Sequence, residues 1–232
     1  VWDYLDNSRT QEAYNKIVNG DADIIFVAQP SDGQKKRAEK SGVTLLYTPF
    51  AREAFVFIVN ADNPVNSLTE QQVRDIFSGA ITNWRAVGGD DQEIQTWQRP
   101  EDSGSQTVML SQVMKNVRMI SPQETEVASV MEGMINVVAE YRNTKNAIGY
   151  TFRYYATQMN ADKNIKLLAI NGIAPTAENI RNDKYPYIVD ALMVTRENTT
   201  SETQKLVEWF LTPQGQSLVE DVGYVPMDKT LH

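Results

Sequence analysis

Short apolar runs alternate along this chain with amphipathic stretches of helical period. The apolar runs predict buried strands at 23–28, 43–47, 54–59, 93–97, 147–151, 166–170 and 188–194. The amphipathic stretches predict helices at 11–18, 35–40, 103–115 and 125–141. This alternation of strands and helices is typical of an α/β fold with largely parallel sheets.

Capping residues predict where three further helices begin. A capping box at Ser67–Glu70 opens a helix that ends at Gly79. Near the C-terminus, Ser201–Gln204 opens one helix and Thr212–Pro213 opens the next. Because no repeat, low-complexity tract or Pro/Gly/Ser-rich linker divides the chain, we expect any separate lobes to be joined by strands.

The composition is that of a soluble globular chain and argues against a nucleic-acid partner. The 232 residues suffice for one large domain or two small ones. Hydrophobic residues make up 41% and charged residues 22%, and the net charge is −8. The only basic run is Lys35-Lys36-Arg37, whereas nucleic-acid binding needs a concentrated basic surface.

The residue types that are absent or rare narrow the possible chemistry. The chain has no cysteine, which excludes disulfides, thiolate metal sites and cysteine nucleophiles. Its single histidine is the terminal residue His232, which argues against histidine catalysis and histidine metal ligation. We therefore expect no metal, no cofactor and no enzymatic activity.

The sequence carries no visible targeting information. No apolar run approaches the roughly 20 residues that are needed to span a bilayer. The chain begins at Val1, without a signal-like segment. We therefore expect it to be a portion of a longer protein whose targeting segment lies outside this sequence.

One segment, 98–107, gathers the donors that a small oxyanion needs. It runs from the end of a strand into a helix, where unpaired N–H groups and aligned peptide dipoles favour negative charge. Gly104 allows a ligand to approach the backbone closely. Ser103 and Ser105 add hydroxyl donors, and Arg99 adds a planar guanidinium. The alternative is that a serine only caps the helix and Arg99 is a surface charge.

This segment resembles the signature of a known family. Arg99-x-x-x-Ser103-Gly104-Ser105 before a helix is similar to the Arg-x-x-x-Ser-Gly-Thr signature of the periplasmic phosphate-binding proteins of ABC transporters. The resemblance covers most of the chain in the same order, at Pro49–Asn60, Asn63–Val65, Leu68-Thr69, Ile76–Gly79, Ile81–Trp84, Val87–Gly89, Ala147–Tyr150 and Gly223–Pro226. This ordering is more specific than any single motif.

The resemblance implies a two-lobed periplasmic-binding-protein fold of type 2. Each lobe would be a mostly parallel sheet flanked by helices. Lobe 1 would comprise residues 1–57 and 190–232, and lobe 2 would comprise residues 58–189. Two crossover strands, near Phe57 and near Val189, would join them. Closure of the lobes would bury the anion and exclude water, which strengthens each hydrogen bond to it.

The resemblance also implies roles for individual lobe-2 residues. Arg99, Ser103, Gly104 and Ser105 would bind the anion, with Ser105 in place of the more common threonine. Glu101 stands where the family often has an acidic residue that braces the arginine, although it could equally be a solvated loop carboxylate. From its position at the end of a strand, beside Gly149, Tyr150 could face the cleft, but we interpret it as core or hinge packing.

Lobe 1 both matches the family and departs from it. Thr10, with Ser8 nearby, matches a hydroxyl ligand at the start of the first helix, although Thr10 is also an ordinary N-cap residue. The chain starts after the strand and loop that donate backbone N–H groups in the family. Phosphate-selective members have an aspartate where this chain has Ala28, and Gln29 or Ser31 could supply the missing acceptor.

The resemblance implies an extracytoplasmic solute-binding protein, in the periplasm or anchored at the cell surface. It would capture inorganic phosphate or a related oxyanion and deliver it to an ABC-transporter permease. The alternative is a sensory or interaction module whose anion site has drifted or been lost. Ala28 and the missing first strand favour that alternative, whereas the residue inventory argues against an enzyme.

Overall fold

The computed structural model describes residues 5–6, 8–101, 103–122, 145–159 and 164–227. The α-helices of this part are α1 (Thr10–Asn19), α2 (Asp32–Lys40), α3 (Glu70–Ser78), α4 (Gly104–Val108), α5 (Ala177–Arg181), α6 (Ser201–Phe210) and α7 (Pro213–Asp221). The strands are β1 (Ile24–Val27), β2 (Leu45–Asn60), β3 (Ser67–Leu68), β4 (Gln95–Thr96), β5 (Ala147–Phe152), β6 (Ile165–Leu167), β7 (Ala169–Ile170), β8 (Ile188–Arg196) and β9 (Val225–Pro226). The helix predicted at 125–141 lies outside the described residues.

Strand β2 runs through the whole main sheet, whose order is β1-β8-β2-β5-β4. Residues 45–54 pair with β8, and residues 55–59 pair with β5. The partner therefore changes between Ala54 and Phe55. We call the part around β1 and β8 the first section and the part around β5 and β4 the second section. The lobe boundaries expected at 57–58 and 189–190 remain a prediction.

The two separate strands predicted at 43–47 and 54–59 are one continuous strand of 16 residues. Pro49 interrupts the apolar pattern between them but does not end the strand. The register with β8 shifts between Pro49 and Ala51, so a bulge accommodates the proline where it has no N–H to donate.

The predicted α/β class is confirmed, but the strand directions differ from the parallel expectation. Among the described strands only β4–β5 and β3–β7 pair in parallel, and β2 is antiparallel to β5, β6, β8 and β9. β1 is also antiparallel to β8. Because one long strand passes from the first section to the second and β8 returns, these two strands must run in opposite directions.

Each section of the sheet has its own hydrophobic core. In the first section, Tyr14 and Ile17 of α1 pack with Val194 of β8. In the second, Phe57 and Phe77 pack with their ring centroids 5.9 Å apart, within a larger buried cluster. Separate cores leave the space between the sections free to form a cleft.

Two of the three helix starts predicted from capping residues lie at other residues, and helix α2 starts at Asp32 rather than near Lys35. Helix α3 is capped by Thr69, whose box partner is Gln72, because Ser67 belongs to strand β3. Helix α6 is capped by Thr200, and Ser201 is its first helical residue. The predicted start of α7 is confirmed, with the side chain of Thr212 as the cap.

Helices α1 and α3 end at the glycines that the sequence indicates. Gly20 and Gly79 have φ values of 88° and 82°, in the left-handed region. The Gly20 N–H donates to the carbonyl of Lys16 at 3.0 Å. A residue with a side chain would be strained at either position.

We expect Gly215→Ala to destabilise the protein. A Cβ at this buried position of α7 would lie 2.6 Å from the Cα of Phe210 and close to the carbonyl oxygen of Trp209. Because backbone atoms cannot rotate away, the free energy of unfolding should fall by about 1–3 kcal/mol. Urea denaturation measures this change.

Gly33→Ala in α2 is the matched control. Its Cβ would make only an ordinary contact, 3.7 Å from the Ser31 Oγ. Alanine should therefore stabilise the protein by about 0.4–1 kcal/mol, through the unfolded state. Equal effects at Gly215 and Gly33 would contradict the packing described for α7.

Candidate anion-binding site

Helix α4 begins at the segment predicted to bind an oxyanion. Ser103 is its N-cap, and the Ser103 Oγ accepts a hydrogen bond from the Gln106 N–H at 3.1 Å. The Ser105 Oγ lies 3.4 Å from the Ser103 Oγ. Helical structure continues beyond Val108 as a π-helix over Met109–Met114. The sequence therefore placed this helix correctly, and Ser103 does act as a cap, while Ser105 is inside the first turn.

The starts of α4 and α1 meet at this point. A Cβ built on Gly104 would lie 2.9 Å from the Ala28 Cβ and 3.4 Å from the Thr10 Oγ1. Thr10 is the first residue of α1, and the N-cap position belongs to Arg9, which makes no side-chain capping bond. Thr10 is therefore not the cap. Gly104 permits a close approach that any larger residue would disturb.

Arg99 is buried between β4 and α4, with 8% of its surface exposed. Its backbone N–H donates to the Tyr150 Oη at 3.1 Å. The Tyr150 hydroxyl in turn donates to the Gln106 Oε1. Tyr150, which the sequence indicated only as packing, thus joins the Arg99 backbone to the first turn of α4.

Burial and a second guanidinium act on Arg99. The pKa of Arg99 is lowered to about 10, mainly by burial and also by the positive charge of Arg9, while Tyr150 and Tyr155 act in the opposite direction. Arg9 precedes α1 in the first section, whereas Arg99 belongs to the second. The two positive groups therefore lie close enough to repel each other, and an anion between them would relieve that repulsion.

A cavity of about 160 Å³ adjoins the contact between α4 and α1. Ser8, Thr10 and Ala28 form one part of its wall. The wall does not include Arg99, Ser103, Gly104 or Ser105, although Gly104 packs on the wall residues Thr10 and Ala28. The remaining wall residues are Phe26, Val27, Phe50, Glu53, Phe152, Tyr155, Val189, Asp190, Ala191 and Tyr224.

The three residues predicted to support the site lie elsewhere. Glu101 is exposed, and the charges that act on Arg99 do not include it. The Ser31 Oγ accepts from the Gln34 N–H at 3.2 Å, so Ser31 caps helix α2. Gln29 is half-buried and is not part of the cavity wall.

Sequence reasoning missed Glu53, a buried carboxyl of β2 in the cavity wall. Its Oε1 accepts from the Ala54 N–H at 2.7 Å, and its Oε2 accepts from the Tyr154 N–H at 3.0 Å. Burial raises the pKa of Glu53 to about 7, while these two hydrogen bonds and the charge of Arg153 act in the opposite direction. The sequence does contain a signal for Glu53, because the charged pair Arg52-Glu53 interrupts an otherwise apolar run.

Asp190 of β8 is a second carboxyl in the same wall. Burial raises its pKa, while the charge of Arg52, its neighbour across the strands, lowers it. The apolar pattern of 188–194 predicted only a buried strand here. No local motif could have shown that β2 and β8 bring two acidic residues to the wall of one cavity, with Asp190 paired to Arg52 and Glu53 paired to Val189.

The described residues contain neither a candidate metal site nor a membrane-spanning helix. No group of three acidic or histidine side chains could hold a metal ion within the described ranges, which are 5–6, 8–101, 103–122, 145–159 and 164–227. Among the helices of those ranges, none has both the length and the apolar character of a membrane span.

Two α/β sections that share long crossing strands, with a cavity at the crossing, define a two-lobed binding-protein fold of type 2. The family model of the PBP superfamily domain matches residues 4–214. This chain belongs to that family.

Two curated relatives are bacterial phosphate-binding proteins. The Phosphate-binding protein PstS of Borreliella burgdorferi is 26% identical over 183 residues, which cover 77% of this chain. The Phosphate-binding protein PstS of Bacillus subtilis is 29% identical over 171 residues, which cover 73% of this chain. The matches span 64% and 53% of the lengths of these two relatives.

A solved structure confirms the fold. It is described as a phosphate ABC transporter substrate-binding protein with bound phosphate, from Clostridium perfringens. The TM-score is 0.77 at 24% identity, and the match covers 94% of this chain and 84% of that one. The predicted fold of type 2 is therefore confirmed.

Tyr150→Phe should weaken both the fold and the anion site. The change keeps the ring, which packs 5.4 Å from Phe55, but removes the hydroxyl that joins Arg99 to Gln106. Because a buried N–H and a buried amide oxygen lose their partner, the free energy of unfolding should fall by about 1–3 kcal/mol. Urea denaturation measures the loss, and calorimetry with phosphate tests the site.

Tyr47→Phe is the control, because Tyr47 is 38% exposed. It should change the free energy of unfolding by less than about 0.5 kcal/mol. If Tyr150→Phe changed neither the free energy of unfolding nor the affinity for phosphate, Tyr150 would serve only as packing.

The stability of the protein should depend on pH through Glu53. Its folded pKa of about 7 exceeds its ordinary value of 4.5, so the folded state binds more protons between these pH values. The free energy of unfolding should therefore fall as pH rises through this window, by about 3 kcal/mol from this residue. Urea denaturation at several pH values from 4.5 to 8 measures the slope.

Glu53→Gln should flatten this slope, because the amide does not titrate. Glu39→Gln should leave it unchanged, since Glu39 is exposed in the folded protein. A Glu53→Gln variant that kept the full slope would assign the pH dependence to another group. The comparison uses slopes, so a uniform loss of stability in either variant does not affect it.

Proposed function

We propose that this chain binds inorganic phosphate or a related oxyanion between its two sections and carries it to an ABC-transporter permease outside the cytoplasm. One observation carries the proposal. Gly104, in the Ser103–Ser105 turn that follows the buried Arg99, lies against Thr10 at the start of another helix. Both elements present donors, and a tetrahedral anion accepts hydrogen bonds in every direction.

The relatives support phosphate as the ligand. Two of them are named phosphate-binding proteins, and the structural neighbour holds bound phosphate. In this chain the corresponding motif is Arg99-x-x-x-Ser103-Gly104-Ser105, where a serine hydroxyl replaces that of threonine and only a methyl group differs. Thr10 and Ser8 supply the hydroxyl groups of the first section.

Ala28 widens the range of anions in the proposal. It packs on Gly104, where a carboxylate would accept the proton of hydrogen phosphate. A methyl group cannot accept that proton, so it does not discriminate against fully deprotonated oxyanions such as sulfate. We therefore include sulfate among the ligands to be tested, with phosphate first.

The proposal includes no chemical conversion of the ligand. The curated relatives are named as binding proteins. The sequence has no cysteine, and its single histidine is His232. The donors near Arg99 suit the retention of an anion, because they neutralise charge without supplying a nucleophile.

A second candidate is a sensory or interaction module that kept the fold but lost the anion. Ala28 is the observation that favours it, because the residue removes one polar partner from the ligand. A measurement of anion binding distinguishes the solute-binding protein from the sensory or interaction module. A module without a working site would bind neither phosphate nor sulfate, although it would fold normally.

Arg99→Ala should abolish phosphate binding or weaken it by about 100-fold or more. The reason is that two charge-assisted hydrogen bonds are worth about 1.5–3 kcal/mol each. Isothermal titration calorimetry measures the dissociation constant. A thermal-shift assay checks it independently, since a ligand at 100 times its dissociation constant stabilises the folded state by about 2.7 kcal/mol.

Arg85→Ala is the matched control, because its side chain is 75% exposed and pairs with Asp91 on the surface. It should bind phosphate as the parent protein does. If both variants lost phosphate binding, or if neither did, the result would contradict a role for Arg99 in binding the anion. A parent protein that binds no anion would favour the sensory or interaction module.

A further inference from the structure

Besides the crossing strands β2 and β8, one turn of the first section connects the two sections through side chains. This turn, Glu220–Tyr224, joins α7 to β9, and Tyr224 packs against the core cluster that contains Phe50. Its partners belong to the second section. They lie in the segment that follows β5 and in helix α5, whose Ile180 is part of the second core.

An aromatic stack is the first of these contacts. The rings of Tyr154 and Tyr224 have an interplanar angle of 9°, and their centroids are 4.3 Å apart. The Tyr154 N–H donates to the Glu53 Oε2 at 3.0 Å, next to the point where β2 changes partner. Tyr154 is thus tied to the crossing through its backbone and to the first section through its ring.

Polar contacts hold the same turn. The Arg153 Nη1 donates to the Gly223 carbonyl at 3.3 Å. The Arg181 Nη2 of α5 lies 2.7 Å from the Glu220 Oε1 of α7. A Cβ on Gly223 would lie 2.8 Å from the side chain of Gln158, so the two segments pack closely. We call the contact of Glu220–Tyr224 with these second-section residues the hinge contact; its members there are Arg153, Tyr154, Gln158 and Arg181.

The hinge contact restricts the rotation of one section against the other. Two crossing strands alone would permit such a rotation, because a few residues at a crossing can absorb the change in φ and ψ. A rotation would move Tyr224 against Tyr154, since the two rings belong to different sections. It would also move Gly104 relative to Thr10, which likewise belong to different sections. The angle that preserves the hinge contact is therefore also the angle at which the two helix starts meet.

We propose that Tyr154, Arg181 and Glu220 are positioning residues for the anion site. They hold the two sections at the angle that brings Gly104 against Thr10, and they do so without touching the anion. None of the three belongs to the cavity wall. This inference rests on the proposed function, because it concerns the affinity of the same site. When the arrangement that binds is only partly populated, the apparent affinity falls by that fraction.

Tyr154→Ala should weaken the binding of inorganic phosphate by about three- to tenfold. The reason is that loss of the stack with Tyr224 depopulates the arrangement that binds. Isothermal titration calorimetry measures the dissociation constant. Tyr154→Phe keeps the ring and its stack, so it should bind phosphate as the parent protein does.

Glu220→Ala tests the other end of the hinge contact. Loss of its ion pair with Arg181 should weaken phosphate binding by about two- to fourfold. Asp91→Ala is the matched control, because the ion pair of Asp91 with Arg85 lies within the second section. It should leave the affinity unchanged.

A distance measurement tests the angle between the sections directly. Because the sequence has no cysteine, Lys36→Cys and Gln71→Cys place one dye at an exposed position of each section. Single-molecule energy transfer should show a broader distribution of dye separations in phosphate-free Tyr154→Ala than in the phosphate-free parent. Saturating phosphate should restore the distribution of the parent, since the anion selects one arrangement.

Val73→Ala controls for a general loss of stability. Val73 is buried in α3 within the second core and takes no part in the hinge contact. The substitution should lower the free energy of unfolding without changing the affinity for phosphate. If Val73→Ala weakened binding as much as Tyr154→Ala, the positioning role would be overturned.

The outcomes separate this inference from the proposed function. If the parent protein bound phosphate and both Tyr154→Ala and Glu220→Ala kept its affinity, the positioning role would be overturned and the proposed function would stand. If the parent bound no phosphate, the proposed function would fail. The dye separations of the phosphate-free proteins would then still test the hinge contact, and equal distributions in the parent and Tyr154→Ala would overturn it as well.

Discussion

The contact of Gly104 with Thr10 and Ala28 is the constraint on which the candidate site depends. It brings the start of α4, in the second section, against the start of α1, in the first. A side chain at position 104 would separate the two helix starts, because its Cβ would lie 2.9 Å from the Ala28 Cβ. Both sets of donors can therefore act on one small anion only because the two backbones approach so closely.

The remaining architecture holds this contact in place. Strand β2 is shared by the two sections, and β8 returns beside it, so their relative position is set by backbone hydrogen bonds. Glu53 lies one residue before the change of partner and accepts N–H groups from Ala54 and from Tyr154. A buried carboxyl at the crossing thus ties the long strand to the segment that follows β5, and its protonation is coupled to the stability of the fold.

Local patterns were enough to predict most elements and the anion segment, but not the cavity. The Arg99–Ser105 motif, the left-handed Gly20 and Gly79 and the buried strands follow from spacing and from conformational limits within a few residues. The continuity of β2 through Pro49 depended on a bulge that only pairing with β8 reveals. Glu53 and Asp190 both reach the cavity wall because β2 pairs with β8, a relation between distant residues that no short window of sequence contains.

An acidic chain can bind an anion because the charges that matter are near and partly buried. At physiological ionic strength the Debye length is about 8 Å, so most of the net charge of −8 is screened from the cleft. Burial lowers the effective dielectric constant around Arg99, so its guanidinium would act on a bound oxygen more strongly than a surface charge would.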